Sequence, residues 1–444
     1  MKIQTRRRHP ESGQTLIMIT LLMVPMCGII GLVSDIGYMH FVKTSAQTAA
    51  EAAVRAAVID FHATNAGTAC GGSVVCAATA TACPAAITTP ANSLEHGCMY
   101  AIQHGFSSTG NQSVTYQAGS GTRPPTAPGS PVATYWVTFR VAQRVPQMFS
   151  AVLGNPSGVV VARASASLIG AADCIYALNP SASQAFSVKG TANVTSNCGI
   201  LVNSSASDAL YTNGSTTLSA PEYDVVGGIN VHTPLTPSAS TGISPISDPM
   251  AGLAAPATAP YTCDYFNYNS GGTKTLTPGV YCGGINAGSN TTYNLTAGTY
   301  IIVGGGLTTQ STNSTINGSG VTIYNTFGAT TNHGNLAYSP ISIAAGSTAT
   351  LSAPSSGAYA GILFFEDRAA PASFDTFGGN SSSYYQGTIY AKKAAITMYG
   401  TSSVLAKYTI LVADTISMVG TATFGNDYSL LATGSPVTQV AVVE

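Results

Sequence analysis

Charge is what this chain has least of: 16 Lys and Arg and 17 Asp and Glu among 444 residues, 7% in all, where soluble domains carry about 25%. A surface so poor in ionised groups is solvated by hydroxyls and amides, and Gly, Ser, Thr, Ala and Asn are abundant. The formal net charge is −1, so nucleic-acid binding has no electrostatic basis. Short chemical motifs are also missing. No Gly-rich loop ends in Gly-Lys-Ser/Thr; "VGGGL" near Gly304 lacks the lysine and reads as a turn. There is no Gly-x-Ser-x-Gly elbow. His96 and His104 flank Cys98, but without any Cys-x-x-Cys spacing a zinc site is not favoured. Glu95 beside His96 reads as surface or core. No metal and no cofactor are expected.

One long apolar run is present. From Thr15 to Ser34 no side chain is charged, and at 1.5 Å rise per residue the run is long enough for the ~30 Å hydrocarbon core of a bilayer. Lys2, Arg6, Arg7 and Arg8 precede it against Glu11 alone, which places a cytoplasmic basic flank at 1–14, a transmembrane helix at 15–34 and the remainder outside. A cleaved signal would need a small-x-small site, yet Ser34 runs into Asp35, Ile36 and Gly37. Cys27 follows Val24, Pro25 and Met26 in mid-span and reads as an apolar membrane residue rather than a lipidated one. Beyond the run, Ile36, Met39, Val42, Ala46, Ala50, Ala53, Ala57 and Phe61 recur at helical spacing. This narrow stripe of small side chains suits a helix covering its own sheet, or a stalk packing on neighbouring subunits.

"GQTLIMITLLMVPMCGIIGLVSDIGYMHFVKTSAQTAAEAAVRAA" resembles the N-terminal segment of TadE/TadG-like proteins of Flp (tight adherence) pilus assembly. The resemblance is carried by Gly13 and Gln14 opening the span, Gly31, Asp35, Gly37, and Gln47 leading into the alanine run. It implies a bacterial inner-membrane protein with a periplasmic or cell-surface body and with pilus-assembly proteins or pilin subunits as partners. Two departures refine it. Prepilins of this system carry a Glu soon after the cleavage glycine, and "QTLIMIT" has none, which fits an unprocessed TadG-like protein. The Asp-x-Ser-x-Ser metal run of von Willebrand A domains, present in some TadG-like proteins, is absent.

Eight further cysteines fit disulfides in an oxidising compartment. Local pairs Cys174 with Cys198 and Cys263 with Cys282 are expected, while Cys70, Cys76, Cys83 and Cys98 allow three connectivities. Residues 66–131, rich in Gly, Ala, Ser, Thr and Pro, read as loops held by those four. Alternation from Tyr135 to Ala142 and from Val159 to Leu168 gives two strands, with a short helix closed by Gly154 between them. The expectation for 35–170 is a pilin-like α+β unit.

From 171 to 444 related phrases recur, among them "GTANVTSNCGILVN" from Gly190, "GSTTLSAPEYDVVGG" from Gly214, "GTSSVLAKYTILVAD" from Gly400 and "GTATFGNDYSLLA" from Gly420. Each is a Thr/Val strand, a turn and a more apolar strand, the pattern of stacked solenoid coils. The reading is an all-β right-handed parallel β-helix, similar in architecture to pectate-lyase-like proteins, with a β-sandwich as alternative. Only "FFEDRA" offers clustered charge: Glu366, Asp367 and Arg368, with Asp375 behind. It reads as an exposed turn, since neighbouring strand residues point to opposite faces. Lys392, Lys393, Asp414 and Asp427 are less specific. Two functions result: a non-enzymatic membrane-anchored component of pilus assembly whose β-helix contacts subunits, a surface or a glycan ligand, and a membrane-tethered carbohydrate-active enzyme using that cluster.

Overall fold

The computed structural model describes residues 14–443 apart from 66–69, 72–73, 123, 126–132, 171, 311–312, 400–405 and 432–433. Gly13, the basic flank before it and part of the 66–131 segment lie outside the described residues, as does the start of the phrase at Gly400. The chain divides into two compact units, 1–169 with 440–444 and 170–439.

The first unit is built on α1 (Gln14–Asn65), a single helix of 52 residues that runs through Pro25. From Ile17 to Val33 its described side chains are almost all exposed, whereas Val42, Ala46, Ala49, Ala50, Ala53, Val54, Ala57, Val58 and Phe61 are buried. The stripe thus packs within its own unit. Ile36, assigned to it by spacing, is exposed, although Asp35 beside it is buried. Small residues let the body approach: Phe61 stacks on Tyr135 with ring centroids 3.7 Å apart.

Segment 66–131 is not only loop. It contains β1 (Ala77–Ala82), α2 (Ser93–Gln103) and β2 (Gln112–Thr122). The Asn92 side chain accepts the Glu95 N–H at 3.0 Å, and Glu95 accepts the Ala91 N–H at 2.8 Å, a reciprocal cap that starts α2. Then follow β3 (Ala133–Pro146), a 3₁₀ turn at Ser150–Leu153 closed by left-handed Gly154, and β4 (Ser157–Gly170). β1, β2, β3 and β4 pair antiparallel in that order, and Thr438–Val442 extends the sheet beyond β4. Val137, Phe139, Val141, Ala164 and Ala166 form its core with α1.

The second unit is a largely β body. The pairings between strands of its large sheet are parallel, unlike the antiparallel sheets of the sandwich alternative. Gly190 and Gly214, which open two of the recurring phrases, are register partners. One rank of partners runs Tyr300, Ile323, Phe364, Ile389, Leu411, Ile175, Ile200 and Tyr223. Each is buried. Gly279–Ala287 is long enough to pair with both Gly298–Val303 and Leu307–Thr309, and Tyr384–Met398 with both Ile362–Glu366 and Ser373–Phe377. With Gly298–Val303, Val321–Thr326, Ile362–Glu366, Ser373–Phe377, Ser342–Ile343 and Leu307–Thr309 they close a ring of eight parallel strands.

The stacking order departs from chain order. The unit's first strand, Asp173–Ala177, pairs with Thr409–Met418 near its end, and Ala422–Phe424 pairs with Asn193–Ser196. The chain therefore enters the stack in its middle, builds outward through Gly199–Val202 and Tyr223–Val225, and after a long connection returns as Tyr265–Tyr268 to build inward. The sequential array expected from the phrases is corrected accordingly.

Candidate functional site

Two motif residues of the N-terminal segment, Gly31 and Asp35, meet at one junction. Asp35 is buried on α1, and its carboxylate accepts the backbone N–H groups of Met148, Phe149 and Ser150 at 3.0, 3.0 and 2.8 Å. Those donors open the 3₁₀ turn between β3 and β4, where N–H groups have no partner within the turn. One carboxylate thus ties the hairpin tip to the helix. A turn earlier, Gly31 faces Phe149 so closely that any added Cβ would overlap the ring. Farther along, the Gln47 amide donates to Glu51 at 2.9 Å and to the Arg163 carbonyl of β4 at 3.1 Å. Gly31, Asp35 and Gln47 therefore work as docking points. Gly37 has open space around it, and nothing in the structure explains a glycine there. Gln14 begins the helix, and Gly13 is outside the described residues.

The cysteines pair locally: Cys70 with Cys76, Cys83 with Cys98, Cys174 with Cys198, and Cys263 with Cys282. Cys98 is thereby committed to Cys83, and His96 lies 3.2 Å from Asp60. Among the described residues no group of three or more His, Cys, Asp and Glu side chains converges as metal ligands.

The "FFEDRA" cluster comes apart, and its reading as an exposed turn is corrected. Glu366 and Asp375 are 2% and 0% exposed, because Glu366 ends a strand paired in the ring and Asp375 lies within Ser373–Phe377. The two carboxyls are hydrogen-bond partners. Tyr338 donates to Glu366, and Asn325 donates to Tyr338 at 3.1 Å. Burial, then the Glu366 charge, push the Asp375 carboxyl up to about 9, and burial raises Glu366 too. At neutral pH the pair retains a proton between them. Asp367 turns away to accept the Thr326 hydroxyl at 2.7 Å. Arg368 points elsewhere again, donating to Tyr390 at 2.7 Å, to the Leu253 carbonyl at 2.8 Å and to the Met250 carbonyl. Its guanidinium lies over the rings of both Phe365 and Tyr390, 5.2 and 5.1 Å from their centroids. Asp248 accepts from Tyr390 at 2.6 Å and pairs with Lys392 at 3.3 Å. This network fastens the long connection to the stack. Tyr338 and Asn325 carry no local signal, since they reach Glu366 only when separate strands are stacked.

A helix apolar and, in its described side chains, mostly exposed over Ile17–Val33, which then covers an antiparallel sheet ahead of a disulfide-bonded, largely β body, defines an α+β protein with, among the described residues, one helix long and apolar enough to cross a membrane. Residues 13–66, the whole of that helix, match the Tad family, described as Flp pilus-assembly TadE/G-like. No curated protein and no solved structure matches the chain.

Proposed function

We propose that this chain is a membrane-anchored, non-enzymatic, TadG-like component of Flp/Tad-type pilus assembly. Its N-terminus is cytoplasmic, its span lies in a bacterial inner membrane, and its body is periplasmic or at the cell surface. The observation that carries this reading is the Tad match over 13–66, on the helix whose Gly31, Asp35 and Gln47 hold the sheet. Disulfides in both units support an exported body. The stacked coils are read as a right-handed parallel β-helix with side-chain ladders, such as Asn317 donating to Asn294 at 3.0 Å, on a face that contacts subunits or a surface. Burial of Glu366 and Asp375 speaks against the enzyme alternative, because sugar chemistry needs carboxyls open to substrate.

Cross-linking of the native chain in its own cell envelope, followed by mass spectrometry of the membrane fraction, is the test. Pilus subunits or assembly proteins should be recovered with a full-length, membrane-retained chain. Recovery of a membrane-retained chain with no such partner would sink the assembly role. Polysaccharide turnover that disappears in Glu366→Ala would instead establish the enzyme.

A further inference from the structure

We propose that the β3–β4 hairpin tip, Met148 and Phe149, inserts into the same bilayer that α1 crosses, on the leaflet facing the body, so that the first unit rests on the lipid surface. The inference depends on α1 being a membrane span.

The depth of the tip is set by α1. Asp35 holds the backbone of residues 148–150, and Phe149 packs over Gly31, about 6 Å farther back along the helix axis. Gly31 lies inside the uncharged run that ends at Ser34. A ring seated on it is therefore at the level of the span and not above it.

The chemistry of the tip suits that depth. The stretch "PQMFSAVLGNP" (146–156) contains no charged residue. Met148 is 77% exposed and Phe149 44%, and Ile36, Val159 and Val161 are exposed alongside. Scattered apolar residues on a surface need no explanation; these continue the lipid-facing side of an apolar helix. Ile36, Val159 and Val161 also line an open depression of about 400 Å³, whose other walls include His40 and Lys43. The Lys43 cation is farther along α1 than Gly31, where lipid phosphates would lie.

Irregular backbone is costly near hydrocarbon unless its N–H groups are paired. Here they are. Asp35 takes those of 148–150, Gly154 donates to the Ala151 carbonyl at 3.0 Å, and Asn155 donates to the Ser150 carbonyl at 2.9 Å.

The test uses the full chain in phosphatidylcholine nanodiscs with or without bromine on the acyl chains. Two variants, Met148→Trp and Leu22→Trp, replace exposed residues, and the native Trp136, buried in the sheet, supplies the baseline. Added emission from both variants that is blue-shifted and lost in brominated lipid is the expected result. Loss at residue 22 with none at 148 overturns the proposal and leaves the span intact. Blue-shifted but bromine-insensitive emission at 148 also overturns it, by showing that protein covers the tip. Loss at neither position overturns the span itself.

Discussion

Asp35 is one side chain whose partners lie 113 to 115 residues away, and that separation explains how residues were legible here. Its place in the motif is visible in the sequence; the three N–H groups it serves are not. Gly97, by contrast, carries no sequence signal at all. A Cβ there would lie 2.6 Å from the Phe139 ring and 2.7 Å from the Ala53 carbonyl oxygen. In an open helix Gly→Ala stabilises by about 1 kcal/mol, but at this crossing of α2 on α1 the backbone oxygen must move. Gly97→Ala should therefore destabilise the first unit by about 1–3 kcal/mol, read as a lower urea midpoint of the detergent-solubilised chain, and a raised midpoint would show that the crossing relaxes freely. Asp173 gives a pH dependence. Burial, with the charges of Asp224 and Glu222 behind it, raises its carboxyl from 3.8 to about 7. Below the unfolded value both states hold the proton, and the stability is complete. As pH rises from about 4 to about 7 the unfolded chain releases that proton while the folded one resists, so stability falls by at most about 4 kcal/mol across the window. Asp173→Asn should flatten the urea midpoint against pH there; an unchanged slope would mean that Asp173 is not its source.

At the scale of elements, what could be read depended on how much apolar surface each one buries alone. The covering half of α1 and the strands β3 and β4 carry their periodicity openly, since each presents a continuous face to one core. The elements of 66–131 do not. β1, "AATATA", is exposed along nearly all its length, and an edge strand without an apolar face looks like loop. α2 looks like loop as well, because its Asn92 and Glu95 cap is masked by the surrounding composition. The four disulfides differ in the same respect. Cys174, Cys198, Cys83 and Cys98 are buried, whereas Cys70 is exposed and Cys76 half-buried. Graded reduction of the native chain, trapped by alkylation and read by peptide mass, should open Cys70–Cys76 first, in a small loop of separation 6. Opening Cys174–Cys198, which closes a separation of 24, should cost about 3 kcal/mol and follow unfolding of its unit. Early alkylation of Cys174 in an otherwise folded chain would contradict the burial.

For the molecule as a whole, the β-strand content of the second unit was legible and the order in which its strands pair was not. Turn and strand chemistry repeats locally, so each phrase announces strands; nothing local says which strand each will lie against. That choice rests on contacts such as Arg368 with Met250 and Leu253, and Tyr390 with Asp248, which hold the long connection so the chain can reach the far end of the stack and return. In a sequential solenoid, deleting the final coil leaves the others stacked. Here the last strands lie between the two arms: Thr409–Met418 pairs with Tyr384–Met398 on one side and with Asp173–Ala177 and Phe186–Gly190 on the other. A chain ending at Lys407 would leave two unpaired edges carrying apolar ranks, one from Ile389 and one from Ile175, and such edges template association. The expected outcome is loss of the single unfolding transition of the second unit, together with oligomers in gel filtration. Ending the chain at Gln439 removes only residues of the first unit and should spare that transition. If the chain ending at Lys407 kept a monomeric, cooperative second unit, the two arms would each be stable alone, and the inserted strands would be a seam rather than the element that joins them.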